Sequence, residues 1–304
     1  FPYTTLFRSR RNTKTGTYPV IPKEVLLNLE DVERKPRGAY GRSDWDYERG
    51  LYVCSEKGWE EPIDDGERAE MDEDAGGGAC EFLATERATK TILRRQEYRI
   101  ANKLFDPVAF SANTVTNEWD DAANATPVTD VADGIGAFRT QCGMLPNALI
   151  INWSVFNNLK QCEQIVDKLK YTFPGIDLNR MTSAQLAAVF NLPMVLVGGA
   201  IYNSANKGLA ASVTDIWSDE YAALVRISDS MDVREPCVGR TFIWTEDSPQ
   251  NPITEQYREE QIKSDVIRVR HTVDERLMQS FDDSGTAVSD IAAACVYLFD
   301  NITT

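Results

Sequence analysis

"ACEFLATERATKTILRRQEYRIANKLF", residues 79–105, contains neither proline nor glycine and follows three consecutive glycines, Gly76, Gly77 and Gly78. Asp106-Pro107 closes the stretch, because a residue before proline is pushed out of helical geometry. It therefore predicts one helix from about Ala79 to Phe105, about 40 Å long at about 1.5 Å per residue. Phe82, Ile92, Leu93, Ile100 and Leu104 supply an apolar stripe, and Arg87, Arg94, Arg95, Arg99 and Lys103 a basic face. A long helix with one apolar and one charged face organises what packs beside it.

Upstream, the charge changes sign abruptly. Residues 1–42 carry nine basic and four acidic groups, net +5, and residues 43–80 thirteen acidic and three basic groups, net -10. Within the acidic part, "YGRSDWDYERGLYVCSEKGWEEPIDD" (40–65) alternates polar residues with Tyr40, Trp45, Tyr47, Leu51, Val53 and Trp59. That alternation, with Arg49-Gly50 between the runs, predicts a long β-hairpin, with Lys57 near its tip. A two-stranded hairpin is marginal alone, so its aromatics need a surface elsewhere, such as another subunit. "IDDGERAEMDEDA" (63–75) lacks the spacing of a calcium loop and reads as a solvated acidic loop. The basic stretch before the hairpin, 10–38, reads as an extended arm, with Pro19, Pro22 and Pro36 against helix. The first nine residues, "FPYTTLFRS", resemble a translated sequencing adapter and are set aside as non-native.

Downstream of the helix the pattern turns α/β. In "LPNALIINWSVFNNLKQCEQIVDKLKY" (145–171), Ala148–Asn152 is a buried strand, Ser154 a helix cap, and Val155–Tyr171 a helix in one or two pieces. Val131–Phe138 is helical, and Thr182 or Ser183 caps a helix to about Phe190. "PMVLVGGAIYN" and "VTDIWSDEYAALVRI" give short strands, as do "GRTFIWTE", "SDVIRVRHTVDE" and "AAACVYLFDN". The acidic "TEDSPQNPITEQYREEQ" reads as a loop.

Composition narrows the function. A net charge of -15 argues against tight nucleic-acid binding, which needs a basic patch to replace phosphate counterions. No apolar run is long enough to span a membrane, and no stretch has the sections of a signal peptide. The six cysteines form no Cys-x-x-Cys pair and there is one histidine, so a zinc site is not expected and the thiols read as reduced and buried. No phosphate loop or nucleophile elbow is present. His271 alternates with Ile267, Val269 and Val273 and reads as a satisfied packing residue. No catalytic, metal or cofactor residue is singled out, although abundant carboxylates keep a carboxylate-dependent enzyme open as an alternative.

The order of arm, acidic hairpin, long helix, α/β region and returning strands resembles the major capsid proteins of tailed bacteriophages. "FLATERATKTILRRQEYRIANKLF" is similar to their spine helix, and "LPNALIINWSVFNNLKQ", "LPMVLVGGAIYNSANKG" and "DIWSDEYAALV" to their axial domain. "VIRVRHTVDERLM" and "AACVYLFDN" are similar to peripheral-domain strands. The resemblance implies an α+β, Hong Kong 97-type fold. Its parts would be an arm (10–38), an extended loop (39–75), a peripheral domain with the spine helix (76–128), an axial domain (129–228) and returning peripheral strands (229–304). It implies a homo-oligomeric shell of hexamers and pentamers that encloses DNA, is made in the bacterial cytoplasm and ends in the virion. Scaffold, portal and decoration proteins would be partners. Inter-subunit contacts are then expected at Trp45, Tyr47, Tyr52, Lys57, Trp59, Arg94 and Arg95. No scaffolding or propeptide segment is seen, and the lysine, asparagine and glutamate of a subunit crosslink cannot be matched. An encapsulin-like compartment shares the implied fold and is the nearest alternative.

Overall fold

The computed structural model describes residues 7–20, 27, 29–30, 32–42, 48–172, 181–228, 230, 232, 235–278 and 295–303. In chain order the strands are β1 (Phe7–Arg11), β2 (Thr15–Val20), β3 (Glu48–Val53) and β4 (Ser55–Asp64). Helices α1 (Asp65–Ala75) and α2 (Ala79–Leu104) follow, then β5 (Asn113–Thr114), α3 (Pro127–Cys142) and β6 (Ala148–Asn152). Next come α4 (Trp153–Leu159), α5 (Glu163–Thr172), α6 (Ser183–Phe190), β7 (Met194–Gly198), β8 (Ile201–Asn203) and β9 (Val213–Asp215). The chain closes with β10 (Ala222–Val225), β11 (Gly239–Trp244), β12 (Ile253–Glu259), β13 (Ser264–Leu277) and β14 (Val296–Asp300).

Helix α2 holds two sheets together. Its buried residues Ala84, Ala88, Ile92, Gln96, Ile100 and Leu104 recur every four positions, the spacing of one helix face. The first half packs Ala84, Ala88 and Ile92 on Ile63, Ile267 and Val269 of the first sheet. The second half packs Ile100, Ala101 and Leu104 against Ala148 and Ile150 of the second, and against Trp217, which lies between β9 and β10. Phe82, expected on the apolar stripe, is exposed instead, because its position falls off this face. Between the halves, buried Glu97 accepts the indole N–H of Trp217 at 2.9 Å.

In the second sheet the strand order is β5-β14-β10-β6-β7. All five residues of β6 are buried because both its faces are covered. Leu149 and Ile151 join the core under α3 to α6, while Ala148 and Ile150 face α2. The segment 145–171 is thus a packed wall. Its helical part is indeed two helices, and the cap of the first is Asn152, which accepts from the Ser154 N–H at 3.0 Å, not Ser154. Thr182 caps α6 in a reciprocal capping box with Gln185.

The first sheet is centred on the fourteen-residue β13. β4 pairs along one side of β13, while β12 and then β11 pair along the other. β1 adds in parallel to β11, with Phe7, Arg8 and Ser9 in register with Arg240, Thr241 and Phe242. Residues 7–9 of the stretch set aside as non-native therefore take part in the sheet, while 1–6 lie outside the described residues.

The predicted hairpin is differently paired. β3 pairs antiparallel with β2, not with β4, and Arg49-Gly50 lies within β3 instead of at a turn. The ribbon's base is fixed by two reciprocal pairs, Tyr52 opposite Gly16 and Tyr18 opposite Gly50. Each ring lies over the facing glycine: a Cβ on Gly16 would come 2.5 Å from the Tyr52 hydroxyl, and one on Gly50 2.2 Å from the Tyr18 ring. Both tyrosines stack on Phe242 of β11, Tyr18 with its centroid 5.4 Å away and Tyr52 at 4.4 Å. Two further expectations are corrected. Residues 65–75 form helix α1 rather than a loop, anchored by Arg68 to Asp265 and Glu81. The "TEDSPQNPITEQYREEQ" stretch contains β12, whose Glu255 pairs with Arg270 at 2.7 Å.

Candidate functional site

The predicted contact residues divide into three groups. Trp45 and Tyr47 lie outside the described residues. Tyr52 is buried in its own protomer, stacked on Phe242 with its hydroxyl 2.8 Å from Thr13 Oγ1, so it is a core residue rather than a contact. The other four, Lys57, Trp59, Arg94 and Arg95, line one pocket of about 310 Å³ between β4 and α2.

β4 contributes Lys57 and Trp59, which share a face because strand side chains alternate. Lys57 is not at a hairpin tip. Its Nζ donates to the Val273 carbonyl at 3.0 Å and to Glu275 at 3.4 Å. Trp59 is 48% exposed, and its indole N–H donates to Glu61 at 2.9 Å. From α2 come Arg94, Arg95, Tyr98 and Arg99. The Arg95 guanidinium lies 5.0 Å from the Tyr98 ring centroid, a cation–π contact. Tyr202 closes the far side, edge-on to Tyr98 at 5.4 Å.

Behind the pocket lies a charge cluster that sequence reasoning missed. Glu275 is buried and accepts from Arg99 Nη2 at 2.7 Å and Nε at 3.3 Å, while Lys103 donates to its backbone carbonyl. Burial pushes its carboxyl up, but the Arg99 hydrogen bonds and the charges of Lys57, Arg99 and Lys103 win and hold it below the usual range. Burial lowers both Lys57 and Lys103 against the pull of Glu275. A signal was available: Ile267, Val269, His271, Val273, Glu275 and Leu277 are alternate residues of one buried face.

His271 lies on that face, as expected, but it is not satisfied. It is 1% exposed, lines the pocket, and its Nε2 has no hydrogen-bond partner among the described residues. Burial pushes its pKa down to about 4; Glu275 opposes that, while Lys57, Arg99 and Arg8 add to it. The unfolded chain takes up this proton below the ordinary value and the folded chain only near 4, so stability is full above about pH 6.5 and falls as pH drops toward 4. Between pH 7 and pH 5 the histidine's share of that loss is about 2 kcal/mol. Urea midpoints at the two pH values should therefore diverge less in His271→Phe than in the wild type. An undiminished divergence would remove His271 as the cause.

Among the described residues no group of His, Cys, Asp and Glu is placed to hold a metal ion, and no helix is long and apolar enough to cross a membrane.

No family model matches the chain. The major capsid protein of Burkholderia phage BcepMu is 30% identical over 170 residues, 53% of this chain and 53% of that protein. The chain thus spans about half the length of the curated relative it matches. Among solved structures, a phage-related protein from Bordetella bronchiseptica superposes with a TM-score of 0.68 at 19% identity, covering 99% of this chain and 91% of that one. The mature capsid of bacteriophage PhiM1 gives 0.52 at 12% identity, over 98% and 86%. A virus-like particle from Pyrococcus furiosus gives 0.54 at 9% identity, over 99% and 92%.

The chain has the phage capsid fold. It is the mixed α+β, Hong Kong 97-type architecture expected from the order of elements, although the strand partners of β3 and β4 were not foreseen. In this capsid-fold chain the pocket gathers cations on one buried carboxylate. It does not bring together the pair of carboxylates that hydrolytic acid–base chemistry would use.

Proposed function

We propose that the chain is the shell subunit of a phage head, assembling through hexamers and pentamers into a closed icosahedral coat around DNA. The observation that carries this reading is the superposition of 98% of the chain on a mature phage capsid, joined to the sequence match with a phage major capsid protein. The net charge of -15 suits an enclosing wall, because packaged DNA does not adhere to it. Synthesis in the host cytoplasm, residence in the virion, and contacts with scaffold, portal and decoration proteins belong to the same proposal.

The pocket edge supplies a subunit contact in this reading. Trp59 carries exposed aromatic surface, and Arg94 and Arg95 are exposed guanidiniums with no ion-pair partner among the described residues. Burying the ring against a neighbour yields about 25 cal/mol per Å² of apolar surface removed from water. Many copies convert such weak contacts into a stable coat.

The test is electron microscopy of the purified full chain beside its light-scattering mass. Closed shells, hexamers or pentamers are expected. A folded monomer at high concentration would overturn the reading. Trp59→Ala is expected to reduce assembled particles at least several-fold while the thermal midpoint of the protomer stays within about 2 °C, as for surface substitutions. Undiminished assembly would take Trp59 out of the interface.

A second reading is an encapsulin-like compartment, favoured by the likeness to the Pyrococcus furiosus particle. The contents of native particles decide between them: nucleic acid for a head, cargo protein for a compartment.

A further inference from the structure

The pocket holds three features that an empty hollow does not need. Its walls are aromatic, formed by Trp59, Tyr98 and Tyr202. Its rim carries Arg94 and Arg95, which form no ion pair among the described residues, while Lys57 and Arg99 beside them are engaged by Glu275. Its lining includes His271, almost wholly buried with an Nε2 that bonds to nothing described. A buried polar atom without a partner is costly and marks a place where something can bond.

The geometry points to a binding site for an aromatic carboxylate: a flat ring between Trp59 and the Tyr98–Tyr202 pair, its carboxylate on Arg94 and Arg95, and a polar ring atom toward His271 Nε2. Each element excludes a simpler ligand. An inorganic anion leaves the aromatic walls wet. A neutral arene leaves both guanidiniums without a bidentate acceptor. A volume of about 310 Å³ is at the small end of ligand sites, room for one ring system rather than a base with its sugar and phosphate. The chemistry can arrive as a free small acid. It can also arrive on a second copy of this chain, whose Asp44, Trp45, Asp46 and Tyr47 alternate carboxylates with rings. The site itself does not depend on the shell reading, since either source can be tested on unassembled subunit.

The probes are indole-3-acetate, the neutral indole-3-acetamide, adenosine monophosphate and a peptide of residues 43–50, titrated calorimetrically into the full chain at 0.15 M salt. The site predicts saturable binding of acid or peptide, with the acid at least about tenfold tighter than the amide if it is the free molecule that fits, the step expected from a charge-assisted hydrogen bond. Arg94→Ala combined with Arg95→Ala, at two exposed positions, should weaken that binding at least about tenfold. Peptide binding tighter than the free acid assigns the source to a second copy; the reverse assigns it to a small molecule. The proposal falls if neither acid nor peptide saturates, if acid and amide bind alike and the peptide not at all, or if the double variant binds like the wild type. It also falls if adenosine monophosphate binds in place of both.

Discussion

Replacing Glu275 by alanine is expected to destabilise the subunit by about 3–5 kcal/mol, the usual cost of removing one member of a buried ion pair. The carboxylate is the only anion within bonding reach of both Lys57 and Arg99 among the described residues. Without it, two half-buried cations face each other, and the burial that already lowers Lys57 goes uncompensated. The same logic sets the control. Glu275→Leu combined with Lys57→Met should recover part of the loss, because it removes one of the two cations together with the anion and leaves only Arg99 without its partner. Urea denaturation of the wild type, Glu275→Leu, Lys57→Met and their combination completes a double-mutant cycle. A single-variant loss below about 1 kcal/mol would mean that water reaches the cluster and screens it.

The second large effect is expected at Trp217. It is fully buried, lies edge-on to Phe105 at 5.2 Å, and covers Gly198 so closely that a Cβ there would come 2.4 Å from its ring. Trp217→Ala should cost about 3–5 kcal/mol through the cavity alone. It would also strip the indole donor from buried Glu97. Trp217→Phe separates the two contributions, since it keeps much of the ring but leaves Glu97 without that donor, a loss of about 1–3 kcal/mol. Denaturant midpoints should rank wild type, then Phe, then Ala. Equal losses for Phe and Ala would show that the hydrogen bond, not the packing, dominates where α2 crosses the second sheet.

Elements whose signal is local were legible in the sequence. Helix α2 needs only its gap-free run between glycines and Asp106-Pro107, and β6 only its apolar block. What failed was pairing at a distance. β3 was matched with its neighbour in sequence, yet its partner is β2, separated from it by 27 residues and containing Pro19. β12 was hidden because its acids look solvated until Arg268 and Arg270 of β13 appear beside them. Helix α1 has almost no apolar face to read, and its anchor is an arginine reaching to β13. The pocket was half visible: four of its residues were named, but Arg99, Tyr98 and Tyr202 acquire meaning only when α2 lies against β4 and β8. His271 was placed on the right face, while its missing partner belongs to three dimensions alone.

The tyrosine–glycine pairs at the ribbon base carry a consequence for heredity. Each ring occupies the space over the opposite glycine, so a side chain gained at Gly16 or Gly50 collides, and a ring lost from Tyr52 or Tyr18 uncovers Phe242. Single-step changes at these four positions are therefore penalised in either direction, and variants that survive must change facing residues together. Positions 16, 18, 50, 52 and 242 should drift as one block, an island of epistasis spanning more than two hundred residues of chain.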